Sequence, residues 1–130
     1  PAQRFAMSAT RLLVLVAGLM GAAGVVFAAL ASHAYAGTSL SVAATMLSLH
    51  APAVIAVAVG RKAGVLHDLS ARIAAWGLVA GTVLFCGDLA MRTFVGAGLF
   101  PMAAPTGGSL MIAAWIGVAA AGAVGGARSA

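Results

Sequence analysis

The longest charge-free stretch of the chain is residues 12–60, which read LLVLVAGLMGAAGVVFAALASHAYAGTSLSVAATMLSLHAPAVIAVAVG. No Asp, Glu, Lys or Arg occurs in it, and a second such stretch covers residues 93–127. Between the two, residues 73–91 contain a single side chain of these types, Asp88. A soluble domain with 63% hydrophobic and 7% charged residues would lack the polar groups that cover a water-facing surface. The sequence therefore predicts a protein that resides in a lipid bilayer.

The lengths of these stretches indicate how many times the chain crosses the bilayer. A helix needs about 20 apolar residues to cross roughly 30 Å of hydrocarbon. Residues 12–60 are long enough for two helices joined by a tight turn, and the other two stretches supply one each. The alternation of a membrane strand is absent, which excludes a barrel. We predict one all-α domain over residues 1–130, a bundle of four transmembrane helices at about residues 12–31, 40–59, 73–91 and 108–126.

The basic residues are distributed unevenly between the two sides of these spans. Arg92 alone follows the third span, whereas six of the seven cations flank the other side. Because basic loops remain in the cytoplasm, both termini are predicted to be cytoplasmic. No basic patch with interleaved aromatic residues occurs, so a nucleic-acid partner is not expected. The six cations are Arg4, Arg11, Arg61, Lys62, Arg72 and Arg128.

Small residues occur at helical spacing in the first and fourth spans. In lipid, small side chains let two helices approach closely, and this packing replaces the hydrophobic effect. Such residues could pack within a compact four-helix bundle, or they could form a docking face for a partner helix. The glycines concerned are Gly18, Gly21, Gly24, Gly117 and Gly122.

Two charged residues lie near the predicted outer end of the third span. Asp88 and Arg92 are four residues apart, so they share a helix face and can form an ion pair. A carboxylate in hydrocarbon is costly, and a neighbouring cation that extends toward the interface lowers this cost. We interpret the two residues as a structural ion pair, with a proton or ion relay as the alternative.

Two histidines, His33 and His50, are also predicted to lie within or near the membrane. Their estimated depths differ by about 15 Å, which argues against a haem held between them. A metal site formed by His33, Asp88 and a water is a weak signal, so no cofactor or metal is predicted. His50 is close to Pro52, and we expect it to hydrogen-bond a carbonyl that the proline leaves free. With no nucleophile–base pair or phosphate loop, no enzyme activity is expected.

Short motifs along the chain resemble those of a known family. They are GAAG at residues 21–24, ASH at 31–33, LHA at 49–51, LFCGDL at 84–89 and APTGG at 104–108. The chain thereby resembles the domain-of-unknown-function family 423, small bacterial inner-membrane proteins with four spans and no agreed activity. The resemblance implies the fold and a location in the bacterial inner membrane, and it adds no chemistry. The residues at family motif positions are His33, His50, Gly87, Pro105, Gly107 and Gly108.

The chain also departs from the family pattern. The connector between the two histidine motifs is shortened, and Leu49 occupies the position of a usual tyrosine. Cys86 and Asp88 stand in place of serines, and Ala104 in place of threonine. We interpret the shortened outer loop as a sign that this family member has been recruited to a specialised complex.

Two functional hypotheses follow from the sequence. The first is a non-catalytic accessory or structural subunit that packs against a larger integral membrane complex, because the chain has little mass outside the bilayer and many small-residue faces. The alternative is a small oligomeric transporter or channel with a polar route through His50, Asp88 and Arg92. A stoichiometric larger partner would favour the first hypothesis, and isolated homo-oligomers with a hydrated lumen the second.

Overall fold

The computed structural model describes residues 7–126, and in that part of the chain it contains four α-helices and no strand. Each helix is long and apolar enough to cross a membrane. The prediction of an all-α bundle with four membrane-spanning helices is confirmed. The cations Arg4 and Arg128 lie outside the described residues. The helices are α1 (Ala9–Ser32), α2 (Leu40–Lys62), α3 (Asp68–Phe94) and α4 (Ala103–Val124).

Local sequence signals account for several helix ends. At the start of α3, the His67 ring accepts a hydrogen bond from the backbone N–H of Ser70 at 3.4 Å. The ends of α2 and α3 are followed by Gly64 and Gly96, whose φ angles are 80° and 85°. Side chains other than glycine rarely adopt this left-handed conformation, and glycine in it is a common helix terminator.

Three helices begin earlier than the predicted spans: α1 begins at Ala9, three residues before the predicted start, and α3 and α4 each begin five residues before it. The first residue of α3 is Asp68 rather than a residue near 73, because this helix extends past the apolar segment to its charged flank. The first residue of α4 is Ala103 rather than a residue near 108. Pro105 lies in the first turn of α4, where a missing N–H costs no hydrogen bond within the helix. Residues 105–107, which precede the predicted fourth span, are therefore helical.

The spatial order of the helices follows their order in the sequence. Helix α1 packs on α2, α2 on α3 and α3 on α4, with a minor contact between α1 and α3. In the most apolar 18-residue segments of α2 and α3, 44% and 50% of the residues are buried, against 22% in α1 and in α4. The bundle is therefore open, with the helices arranged in a row and not each in contact with all the others. Its outer helices α1 and α4 each present most of their surface to the surroundings.

One end of the bundle joins all four helices and carries most of the cations; we call it the basic end, defined by Arg11, Arg61, Lys62 and Arg72. The guanidinium of Arg61, at the end of α2, donates to Thr10 of α1 at 3.0 Å and forms an ion pair with Asp68 of α3. The backbone N–H of His67 donates to the carbonyl of Ala121 in α4 at 3.0 Å. These contacts fix the start of α3 beside the ends of α2 and α4.

Candidate functional site

Asp88 is the most constrained polar side chain within the membrane-spanning region. It is fully buried, and its two carboxylate oxygens have different partners. One oxygen accepts from Nε of Arg92 at 2.8 Å, and the other accepts from the backbone N–H of Leu99 at 2.8 Å. The second bond joins α3 to the loop of residues 95–102 that leads into α4. The structure thus brings Asp88 and Arg92 together, as the spacing predicted, and adds a partner that the spacing did not predict.

Gly98 allows the loop to approach the carboxylate. A Cβ at this position would collide with Oδ1 of Asp88 and would lie 2.9 Å from Nη2 of Arg92. Because the Asp88 side chain is fully buried and each carboxylate oxygen has a partner within the protein, neither oxygen faces a water-filled path. The geometry favours an anchor for the loop over a relay for protons or ions.

His50 is buried in α2 and connects it to α4. Its Nδ1 lies 2.8 Å from the carbonyl oxygen of Met46, and the indole N–H of Trp115 donates to its Nε2 at 3.1 Å. An indole nitrogen can only donate, so Nε2 is the acceptor, and Nδ1 carries the proton of a neutral ring. The carbonyl left free by Pro52 would be that of Ser48, so the expected bond to a proline-freed carbonyl is wrong. Both ring nitrogens of His50 are engaged, and neither is open to a haem iron.

His33 lies apart from the other polar residues. It follows the last residue of α1, and its side chain is exposed. Within residues 7–126, no three His, Cys, Asp or Glu side chains are close enough to hold a metal ion. The arrangement of His33, Asp88 and a water needs only two protein ligands, and the carboxylate of Asp88 bonds Arg92 and the Leu99 N–H instead of His33.

The five glycines of the first and fourth spans occupy different environments. An added Cβ on Gly24 would lie 3.2 Å from Cβ of Leu47 in α2, and one on Gly117 would lie 3.2 Å from Cβ of Ala74 in α3. Gly21 also faces α2, whereas Gly122 is exposed with only Leu66 nearby. Gly18 is exposed, and nothing lies within 4 Å of an added Cβ. Three of the five therefore serve internal packing, and Gly18 and Gly122 face outward.

A close contact between α3 and α4 involves Gly77, Gly81 and Gly107, none of which was predicted to pack helices together. A Cβ on Gly107 of α4 would lie 2.6 Å from the backbone nitrogen of Phe85 and 2.8 Å from the carbonyl oxygen of Gly81. A Cβ on Gly81 would in turn lie 2.9 Å from the carbonyl oxygen of Gly107. Gly77 is close to α4 as well, with 3.1 Å between its added Cβ and Cβ of Ala114. The Gly77-x-x-x-Gly81 spacing is the signal that could have identified this interface.

Together, four apolar helices and polar side chains that bond one another define a multi-pass α-helical membrane protein. Residues 20–108 match the family model described as a protein of unknown function, DUF423. The match covers more than half of the chain, so the chain belongs to that family, in agreement with the resemblance of its motifs. Neither a curated protein nor a solved structure is significantly similar to it.

Proposed function

We propose that the protein is a non-catalytic accessory or structural subunit that packs, through α1, against a helix of a larger integral membrane protein. The observation that carries this proposal is the open position of Gly18. Around it, Leu15, Leu19 and Val25 are 47%, 65% and 69% exposed, so the outward face of α1 is apolar and has a shallow depression at its centre. A depression of this kind lets a partner backbone approach closely.

The intramembrane polar groups support this proposal over the transporter or channel alternative. A transport route needs polar groups that can exchange partners with the transported species. The carboxylate of Asp88 is occupied by Arg92 and by the Leu99 N–H, and the ring of His50 by Met46 and Trp115. Each of these groups has a structural partner inside the protein.

The proposal includes a location in the bacterial cytoplasmic membrane, with both termini in the cytoplasm. Positively charged segments resist translocation, and the basic end holds the loop between α2 and α3 and the start of α1. A reporter protein that is active only in the cytoplasm is expected to be active when it is fused after Ala130. The same reporter inserted in the loop of residues 95–102 serves as the control. It is expected to be inactive, because this loop is expected to lie in the periplasm. A periplasmic C-terminus would contradict the proposed orientation.

Substitution of the outward glycine tests the docking face. Gly18→Leu is expected to leave helical content and thermal stability unchanged, since no atom lies within 4 Å of the new Cβ, and to abolish association with the partner. The measurement is the stoichiometry of the wild-type complex extracted from native membranes into polymer nanodiscs. The partner identified there is then purified and recombined with each variant in the same lipid.

The matched control is Gly122→Leu, because Gly122 is also an exposed glycine but lies on α4. It is expected to retain the partner. Association that survives in Gly18→Leu would contradict docking through α1. Wild-type protein that forms only homo-oligomers with a hydrated lumen would contradict the accessory role and favour a transporter or channel.

A further inference from the structure

We propose that a cavity at the basic end, lined by Arg61 and Lys62, and the adjoining groove between α3 and α4 together bind one anionic phospholipid. The phosphate would lie in a cavity beside Lys62 and His67, and an acyl chain would lie along the groove. This inference is independent of the accessory role, because it concerns α3 and α4 and not the outward face of α1.

The cavity lies where the end of α2, the start of α3 and the end of α4 converge. Its volume is about 590 Å³, and its lining includes Arg61, Lys62, His67 and Asp68. The lining has more cations than anions, since Asp68 is the single carboxylate and pairs with both Arg61 and Arg72. The local field therefore favours an anion, and its position at a membrane surface suits a lipid phosphate.

Lys62 and His67 are the donors that remain open to such an anion. Arg61 is already engaged by Asp68 and Thr10, whereas Lys62 is exposed and has no ion-pair partner within residues 7–126. Nδ1 of His67 accepts from the backbone N–H of Ser70, and it lies 2.7 Å from the Ser70 hydroxyl. A neutral ring that accepts at Nδ1 carries its proton on Nε2, which leaves one N–H donor for a phosphate oxygen.

The groove begins at the same pair of residues. Ser70, which bonds His67, also lines an apolar groove of about 250 Å³ between α3 and α4. Its floor is formed by small residues, among them Gly77 and Gly117, and its far end by Leu110. From Ser70 to Gly77 the helix rises about 10 Å, enough for the upper part of an acyl chain. The His67–Ser70 pair thus connects a basic cavity to an apolar groove, the arrangement of a phospholipid.

The test measures lipid adducts on the full-length protein in detergent by native mass spectrometry. Phosphatidylglycerol is expected to form a one-to-one adduct with higher affinity than phosphatidylcholine, and inorganic phosphate is expected not to displace it. Lys62→Gln is expected to weaken the phosphatidylglycerol adduct about fivefold, the effect of removing one cation near an anionic lipid. Arg11→Gln, which removes a cation of the basic end that does not line this cavity, is the control and is expected to have little effect.

A second pair of variants tests the groove. Ala113 is exposed and lines the groove, so Ala113→Leu is expected to fill it and to weaken the adduct. Ala119→Leu places the same side chain on another exposed face of α4 and is expected to bind normally. Equal affinity for the two lipids, or equal losses in Lys62→Gln and Arg11→Gln, would overturn the proposal. Displacement of the lipid by inorganic phosphate would show that the cavity binds free anions. Unchanged lipid binding in Ala113→Leu would show that the groove does not hold an acyl chain. Either result would overturn the proposal of one lipid bound by both the cavity and the groove.

Discussion

Gly107→Ala is expected to force α3 and α4 apart and to destabilise the protein strongly. The new Cβ would lie 2.6 Å from the backbone nitrogen of Phe85 and 3.0 Å from its Cα. Backbone atoms of a packed helix cannot rotate away as a side chain can, so the helices must move apart. We expect a loss of about 3 kcal/mol in the free energy of unfolding, the upper part of the range for overpacked cores. Reversible unfolding in mixed micelles measures it.

The neighbouring glycine provides a matched control. A Cβ on Gly108 would lie 3.8 Å from the nearest atom, in the ring of Phe85, which is an ordinary contact. Gly108→Ala is therefore expected to be neutral, or stabilising by no more than about 1 kcal/mol through the higher helix propensity of alanine. Equal losses in the two variants would show that the close approach at Gly107 is not what holds α4 to α3.

Arg92→Ala is expected to destabilise the protein strongly, and adding Asp88→Asn is expected to restore more than half of that loss. Without Arg92, the buried Asp88 carboxylate would lose its cation, and either an unpaired charge or the uptake of a proton in an apolar region costs free energy. A neutral amide at this position carries no charge and can still accept the bond from the Leu99 N–H. The measurement is a double-mutant cycle on the free energy of unfolding, with hydrogen exchange at Leu99 as the readout of the loop.

The exposed ion pair at the basic end is the control for this cycle. Arg72 and Asp68 are also four residues apart on α3, but the Asp68 side chain is 66% exposed and Arg72→Ala leaves it solvated. We expect Arg72→Ala to have a small effect, as surface ion pairs generally do. Additive losses at Asp88 and Arg92 would contradict the pairing. A folded Asp88→Asn protein with altered transport would instead support the transporter or channel alternative.

The helices could be predicted from the sequence because charged residues are far less tolerated inside a bilayer than on a surface exposed to water. The charge-free residues 12–60 require two helices whatever their packing, and the single buried anion had a cation one turn away. The spacing of Asp88 and Arg92 was sufficient to suggest their pairing. Helix starts were less predictable, because Pro105 and Gly107 are residue types typical of turns. Here Pro105 is tolerated in the first turn of α4, and Gly107 is required by the close contact with α3.

The contacts between distant residues could not be predicted in the same way. Trp115 donates to His50 from 65 positions away, and nothing in the local sequence of either residue indicates this partner. The second partner of Asp88 is the backbone N–H of Leu99, which any residue other than proline could supply. The Gly77-x-x-x-Gly81 pattern indicates a close helix contact, but only the structure identifies Gly107 as the surface that it meets.

The open, sequential order of the helices has a consequence for how the chain assembles in the membrane. Each helix packs mainly on the helices that adjoin it in the sequence, and the connections between them are short. Almost all contacts are therefore available as soon as the next helix has been inserted, and no late segment has to enter between earlier ones. Low sequence separation of contacts favours rapid folding. The protein can reach its native packing during synthesis, one hairpin after another, with both edge helices still accessible to later partners.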